Sequence, residues 1–257
     1  MRSHHVLGIL LAGLVVALAS CSPQPQAPTL VPTSTPTIAP SATPPPTDTP
    51  TPVPTPSPTP DLRVYDINPR QLLMTKDDLL KDPNLKKDRY YLPNQLWIER
   101  LTNAKIVSQW TVDRGTKYLA ATGRVEGWFV AYKRGTTAIV APEEIGDNVV
   151  LFRSSTGALA LLNTYSNCNS LDTEFVPVES TFMVGDAAVV CQLKVMQSGG
   201  ENRVTYVIEF VNRNVYHRIH AWGWEDQIRP DLIEKLAVIL NENLKAVPLS
   251  SEVHYEP

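Results

Sequence analysis

Along this chain, strict alternation of apolar and polar residues gives way in places to apolar runs and to helical spacing, and each change of regime marks an element. From Arg124 to Lys133, Val125, Gly127, Phe129 and Ala131 fall on one side and Glu126, Trp128, Val130 and Tyr132 on the other, which predicts a strand ended by Arg134 and Gly135. Ala187 to Val195 reads as another strand, and Asn148 to Phe152 is a short apolar run. Ser154 and Ser155 then offer caps for a helix whose Ala158, Leu161, Leu162 and Tyr165 share a face. Val204 to Val211 and Val215 to Trp222 form a hairpin across Asn212, Arg213 and Asn214, because Asn tolerates the positive φ that a tight turn needs. Leu232, Ile233, Leu236, Ile239, Leu240 and Leu244 recur at helical spacing behind Pro230, an amphipathic helix of about four turns. Near the other end, Thr75 with Asp78 three residues on opens a short helix that stops before Pro83. Gln95 to Val112 fits neither period for long and holds a helix or a strand. The order predicts an α+β domain, a mostly antiparallel sheet packed with helices, the last of them amphipathic. Runs of strands without intervening helices argue against a doubly wound parallel sheet.

The first 60 residues obey none of these patterns. Arg2 and the α-amino group make a short positive start, and every residue from Val6 to Ala19 is apolar or Gly. Fourteen residues suit a signal h-region, whereas a transmembrane helix needs roughly 20. Leu18-Ala19-Ser20-Cys21 follows directly and resembles the lipobox of bacterial lipoproteins. That resemblance implies cleavage after Ser20, diacylglycerol on the Cys21 thiol and attachment to a membrane through acyl chains, two or more of which anchor firmly. Ser at position 22, rather than Asp, argues within that family against retention at the inner membrane of a two-membrane cell. Ser22 to Pro60 contains 15 Pro, 10 Thr and 4 Ser, one charge, Asp48, and no aromatic residue. Such a tract cannot build a core. Its Thr-Pro pairs favour polyproline II, at about 3.1 Å per residue, and make it a semi-rigid spacer; the composition is also that of O-glycosylated stalks. The expected organisation is a signal peptide at 1–20, lipidated Cys21 and a stalk to residue 60, and one globular domain over 61–257.

Composition narrows the chemistry of that domain. It carries 22 basic and 25 acidic residues with both signs scattered, so nothing points to nucleic acid. With Cys21 lipidated, Cys168 and Cys191 remain as an even pair in a compartment where disulfides persist, and they are expected to be bridged. Two cysteines remote from any His cluster make a poor metal site. No Gly-x-Ser-x-Gly, His-Glu-x-x-His, phosphate-binding glycine loop or Cys-x-x-Cys occurs. His217 and His220 lie three apart on a strand and so point to opposite faces, where each reads as a satisfied or exposed histidine rather than a metal ligand. The pairs Gly146-Asp147 and Gly185-Asp186, each before an apolar run, read as turns rather than as paired carboxylates. The row with the most binding chemistry is Tyr216, Arg218, His220, Trp222 and Trp224, which alternation places opposite Val215, Ile219 and Ala221. Such groups stack on sugar rings, hold an anion or grip an aromatic ligand. Helices covering both sheet faces would instead make the same residues a layer boundary.

The element order from Arg124 to Lys245, with Gly185-Asp186 before a strand and a closing hairpin and helix, is similar to that of extracytoplasmic sensor-like domains of bacterial surface proteins and of PsbP/Mog1-like α/β/α sandwiches. Residues 61–123 fall outside the resemblance. It implies a binding, sensing or assembly role rather than an enzyme. The expectation is thus a lipid-anchored, stalk-presented binding or sensor domain on the extracytoplasmic side of a membrane, using no cofactor. Its partner would be a small molecule, a glycan or an envelope protein, and a docking lipoprotein is the alternative.

Overall fold

The computed structural model describes residues 62–82, 96–133, 142–169, 174–197 and 200–257. The expected signal segment at 1–20, the expected lipidation site Cys21 and the expected stalk to residue 60 lie outside the described residues. Seven strands form one antiparallel sheet in the order β2-β3-β4-β8-β7-β6-β5. They are β2 (Leu96–Leu101), β3 (Arg124–Lys133), β4 (Glu144–Phe152), β5 (Val176–Pro177), β6 (Ala187–Met196), β7 (Asn202–Asn212) and β8 (Val215–Trp224). A second pairing joins β1 (Val64–Tyr65) to β9 (Leu249–Ser250). The α+β architecture expected from the pattern is the one found.

The helices follow from local chemistry. α1 (Lys76–Leu79) starts in a reciprocal capping box, the Thr75 hydroxyl accepting from the Asp78 N–H and the Asp78 carboxylate from the Thr75 N–H. The ambiguous stretch resolves into both alternatives, β2 and then α2 (Asn103–Gln109), with Thr102 as N-cap. α3 (Val112–Thr122) has no counterpart in the sequence-based expectations, although Thr111 caps it and Gly123, at φ 60°, ends it in the left-handed conformation. Ser154 caps α4 (Ser155–Ala160), which continues as a π-helical turn over Leu161–Tyr165. α5 (Pro230–Lys245) begins with Pro in its first turn and buries Leu232, Ile233, Leu236, Ala237, Leu240 and Leu244.

α5 and the segment from Pro69 to Leu79 cover one face of the sheet, packing on Ile145, Val149, Ile208, Phe210, Val215 and Ile219. Each large apolar side chain so enclosed contributes about 1.5–3 kcal/mol. The Tyr132 hydroxyl donates to the Met74 carbonyl at 2.9 Å and holds that segment on the sheet. On the opposite face, α3 and α4 close over Val150, Phe152, Val211 and Tyr216, with Trp110, Tyr118 and Tyr165 in mutual ring contact above them. Cys168 and Cys191 are disulfide-bonded, with Cα atoms 5.4 Å apart, and the bridge lies over Val207.

The β7-β8 hairpin forms where the pattern placed it, with different labour for its residues. Asn212 pairs with Val215, so the turn is Arg213-Asn214, and Arg213 takes the positive φ of 52°. The flanking asparagines are committed elsewhere. Asn214 accepts from the Tyr65 N–H at 2.7 Å and donates to the Tyr65 and Phe152 carbonyls, while Asn212 donates to Asn241 on α5 at 2.7 Å. The turn is thereby a junction for β1, β4 and α5.

Candidate functional site

Strand register defines which side chains share the face that carries α3 and α4. On β8 it is the row Tyr216, Arg218, His220, Trp222 and Trp224, the alternation read from the sequence, but the row is not one surface. Tyr216 lies in the core beneath the helices, where burial, and then the Glu209 carboxylate, push its phenol far above its usual pKa. Glu209 itself is fully buried. It accepts the Asn167 and Cys168 N–H groups at 3.0 and 3.3 Å and lies 3.7 Å from the Arg218 guanidinium. The Asn167 carboxamide oxygen accepts from Arg218 Nη2 at 2.8 Å and Nε at 2.9 Å. Arg218 is therefore engaged beneath the disulfide-pinned segment.

His220 is only 7% exposed. Its ring lies flat over Gly146, where an added Cβ would come within 2.2 Å of Cε1, and is parallel to Phe129 with centroids 5.9 Å apart. Nε2 meets Glu144 Oε1 at 3.1 Å. Burial lowers the imidazole pKa against the opposing pull of Glu144, so the ring is neutral at neutral pH, and the same hydrogen bond holds Glu144 below the usual carboxylate range. Tyr216 and His220 are thus corrected from surface groups to enclosed ones, because α4 covers the first and the Gly146–Phe129 corner encloses the second.

Trp222 remains 39% exposed. The Arg203 guanidinium stands 4.5 Å from the Trp222 centroid and 4.0 Å from that of Trp224, and its Nη1 donates to Glu143 at 2.6 Å. Trp97, on β2, joins the same face. Its register with Ala131, and through Ala131 with Gly146 and His220, places it across the sheet from His220. It is 54% exposed and meets Phe129 edge to face at 5.8 Å. Sequence reasoning missed Trp97, since it falls in the stretch whose period was undecided; one indole among Leu96 and Ile98 was the available signal.

Gly146-Asp147 corrects a second expectation. The pair lies inside β4, not in a turn: Gly146 is required by the His220 ring, and buried Asp147 accepts the Met74 N–H at 3.0 Å and meets His217 Nδ1 at 3.2 Å on the α5 face. Gly185-Asp186 behaves as expected of a turn, with Gly185 at φ 66° and Asp186 accepting the Arg213 N–H at 2.5 Å. His217, stacked on Phe210 at 5.0 Å, faces away from His220.

Elsewhere, an apolar groove of about 580 Å³ runs beside α5, with Phe182, Leu232, Leu236, Val238 and Ile239 among its walls. Among the described residues, no group of three His, Cys, Asp or Glu side chains is placed to hold a metal, and no helix is long and apolar enough to cross a membrane. No protein-family model matches the chain, and no curated protein matches its sequence. Among solved structures, the chain is similar to the extracellular domain of PknH from Mycobacterium tuberculosis, with 13% sequence identity and a TM-score of 0.42 over 69% of this chain and 98% of that one.

Proposed function

We propose that this chain is a binding or sensor protein rather than an enzyme, held to the extracytoplasmic side of a membrane by lipid on Cys21 and displayed on its Pro/Thr stalk. The Leu18-Ala19-Ser20-Cys21 sequence after a fourteen-residue apolar run supports the anchor, and the Cys168–Cys191 bridge agrees with an oxidising compartment. The observation that carries the binding role is the sheet face bearing Trp97 and Trp222. Two large, half-exposed indoles on one rigid sheet are contact groups with little conformational entropy to lose, and aromatic side chains of this kind anchor recognition surfaces.

Two experiments test this reading. Cys21→Ala should abolish incorporation of labelled palmitate and release the protein from membranes; continued labelling refutes the anchor. Thermal-shift screening of the full chain against sugars, lipids, peptides and metals should yield a ligand whose stabilisation is lost in Trp97→Ala. A second reading, an assembly lipoprotein that docks an envelope protein, rests on the α5 groove and on Val238, which is 44% exposed at its edge. Capture of a partner that Val238→Asp abolishes, with Trp97→Ala without effect, would favour it.

A further inference from the structure

After α5 the chain runs on as an arm that is fastened to residues far earlier in the sequence. Leu249 and Ser250 pair, as β9, with Tyr65 and Val64. Asp66 Oδ1 accepts the N–H groups of His254 at 2.9 Å and of Tyr255 at 2.7 Å, and Asp66 Oδ2 meets His254 Nδ1 at 3.1 Å. The Tyr255 hydroxyl donates to Glu126 on β3 at 2.5 Å. Glu126, only 1% exposed, also accepts from Trp128 Nε1 at 3.1 Å and from Arg100 Nε. Leu249, Val253 and Tyr255 add partly buried apolar contact with the core. The seat of the arm thus captures two successive backbone amides at Asp66 and a phenol at Glu126. A carboxylate buried on a strand is costly unless its donors are in place, so the seat is complete only with an arm in it.

The link between α5 and the arm is short. Ala246, Val247 and Pro248 alone separate Lys245 from Leu249. Pro248 fixes its own φ and disfavours the helical region at Val247, which biases the exit from α5 toward extended chain. A long flexible link would let an arm fold back on its own domain freely, whereas short, stiff hinges favour its exchange between copies.

From these observations we infer that the arm from Leu249 to Tyr255 exchanges between two copies of this chain, each seating it on the other's β1, Asp66 and Glu126. A second copy supplies the same partners in the same geometry, and only the hinge opens. Each seat needs one arm and each chain has one, so the exchange is reciprocal and closes at a two-fold dimer. The seat lies on the α5 side of the sheet, where Trp128 packs on the core, and owes nothing to the face that carries Trp97 and Trp222.

The test uses the full chain as two single variants, Val64→Cys and Ser250→Cys, co-expressed with different affinity tags, extracted in detergent and purified through both tags. Positions 64 and 250 face each other across β1 and β9, and neither variant has the matching cysteine in its own chain. A disulfide between position 64 of one chain and position 250 of the other, identified by mass spectrometry of the linked peptides, therefore requires an exchanged arm. That link is expected. Native mass spectrometry of the unsubstituted chain should show a dimer whose fraction rises with concentration, and insertion of three glycines after Pro248 should raise its dissociation constant at least tenfold with an unchanged melting curve. Absence of the 64–250 link, an unsubstituted chain that is monomeric at every concentration, or a dimer indifferent to the glycine insertion each overturns the inference.

Discussion

The pair of strands β4 and β8 carries two imidazole–carboxylate contacts, one on each side of the sheet, and they serve different ends. His217 and Asp147 are sealed under α5 and the Met74 segment, where the second carboxylate oxygen accepts a backbone N–H. His220 and Glu144 lie three residues away on the opposite side, where the carboxylate is partly exposed and Lys133 approaches it. The chemistry of the two pairs is nearly the same. What differs is the cover: a sixteen-residue helix over one face, against α3, α4 and a disulfide-pinned segment over only part of the other. The sealed pair fastens the Met74 segment to the sheet, and the other lies on the sheet face that carries Trp97 and Trp222.

Four predictions break or sharpen this contrast. The largest effect is expected from Asp147→Ala, which strands the Met74 N–H and removes the partner of a buried imidazole; the loss should be about 3–5 kcal/mol, read from urea unfolding. Next, the double variant Cys168→Ala with Cys191→Ala should lose about 3 kcal/mol in the chain-entropy view of a loop this long. It should also speed hydrogen exchange at the residue 167 and 168 amides, which Glu209 now accepts; unchanged exchange would mean that the bridge does not hold the cover down.

The third prediction concerns pH. Burial depresses the folded-state pKa of His220, which is surrounded by Glu144, Arg218 and Asp147, so the unfolded chain binds the proton more readily. The stability from this group is complete above the unfolded value of 6.5 and is lost as pH falls from there through the lower folded value. Glu144, also depressed, has the same sign at more acid pH: its contribution holds above 4.5 and is lost as pH falls through its folded value. The urea midpoint should therefore drop between pH 7.5 and 5.5, and His220→Gln should flatten that slope. An equally steep slope in the variant would assign the effect to other groups. The smallest effect is expected from Glu144→Gln, about 1 kcal/mol or less, because the ion pair it breaks, with Lys133 at 3.4 Å, is partly exposed and screened, and a Gln oxygen can still accept from His220. A cost matching that of Asp147→Ala would erase the distinction between the two faces.

Much of the fold was legible along the chain because its signals are local. The Thr75 capping box, the period of two in β3, the apolar spacing of α5 and the β-rich arms of the hairpin depend on neighbours a few residues apart, and each element formed where its pattern lay. α3 went unread because nothing in its apolar spacing stood out, although Thr111 and Gly123 bracket it. The site was legible in part. Alternation put Tyr216, Arg218, His220, Trp222 and Trp224 on one side of β8, but it carries no information about how far a helix from elsewhere in the chain extends over that side. Nor does it show that Trp97, 125 residues before Trp222, belongs to the same face.

By itself the sequence determined the class of fold, the opposed directions of His217 and His220 and the cysteine pair available for a bridge. Only the tertiary structure decided that Gly146-Asp147 belongs inside a strand and that Arg213 rather than an Asn takes the strained turn position. It decided likewise that Tyr216 and His220 are enclosed while Trp97 and Trp222 remain half-exposed. The reason is physical: periodicity and capping are settled by interactions within a turn or a strand, whereas burial is settled by which distant segments win the competition to cover a face.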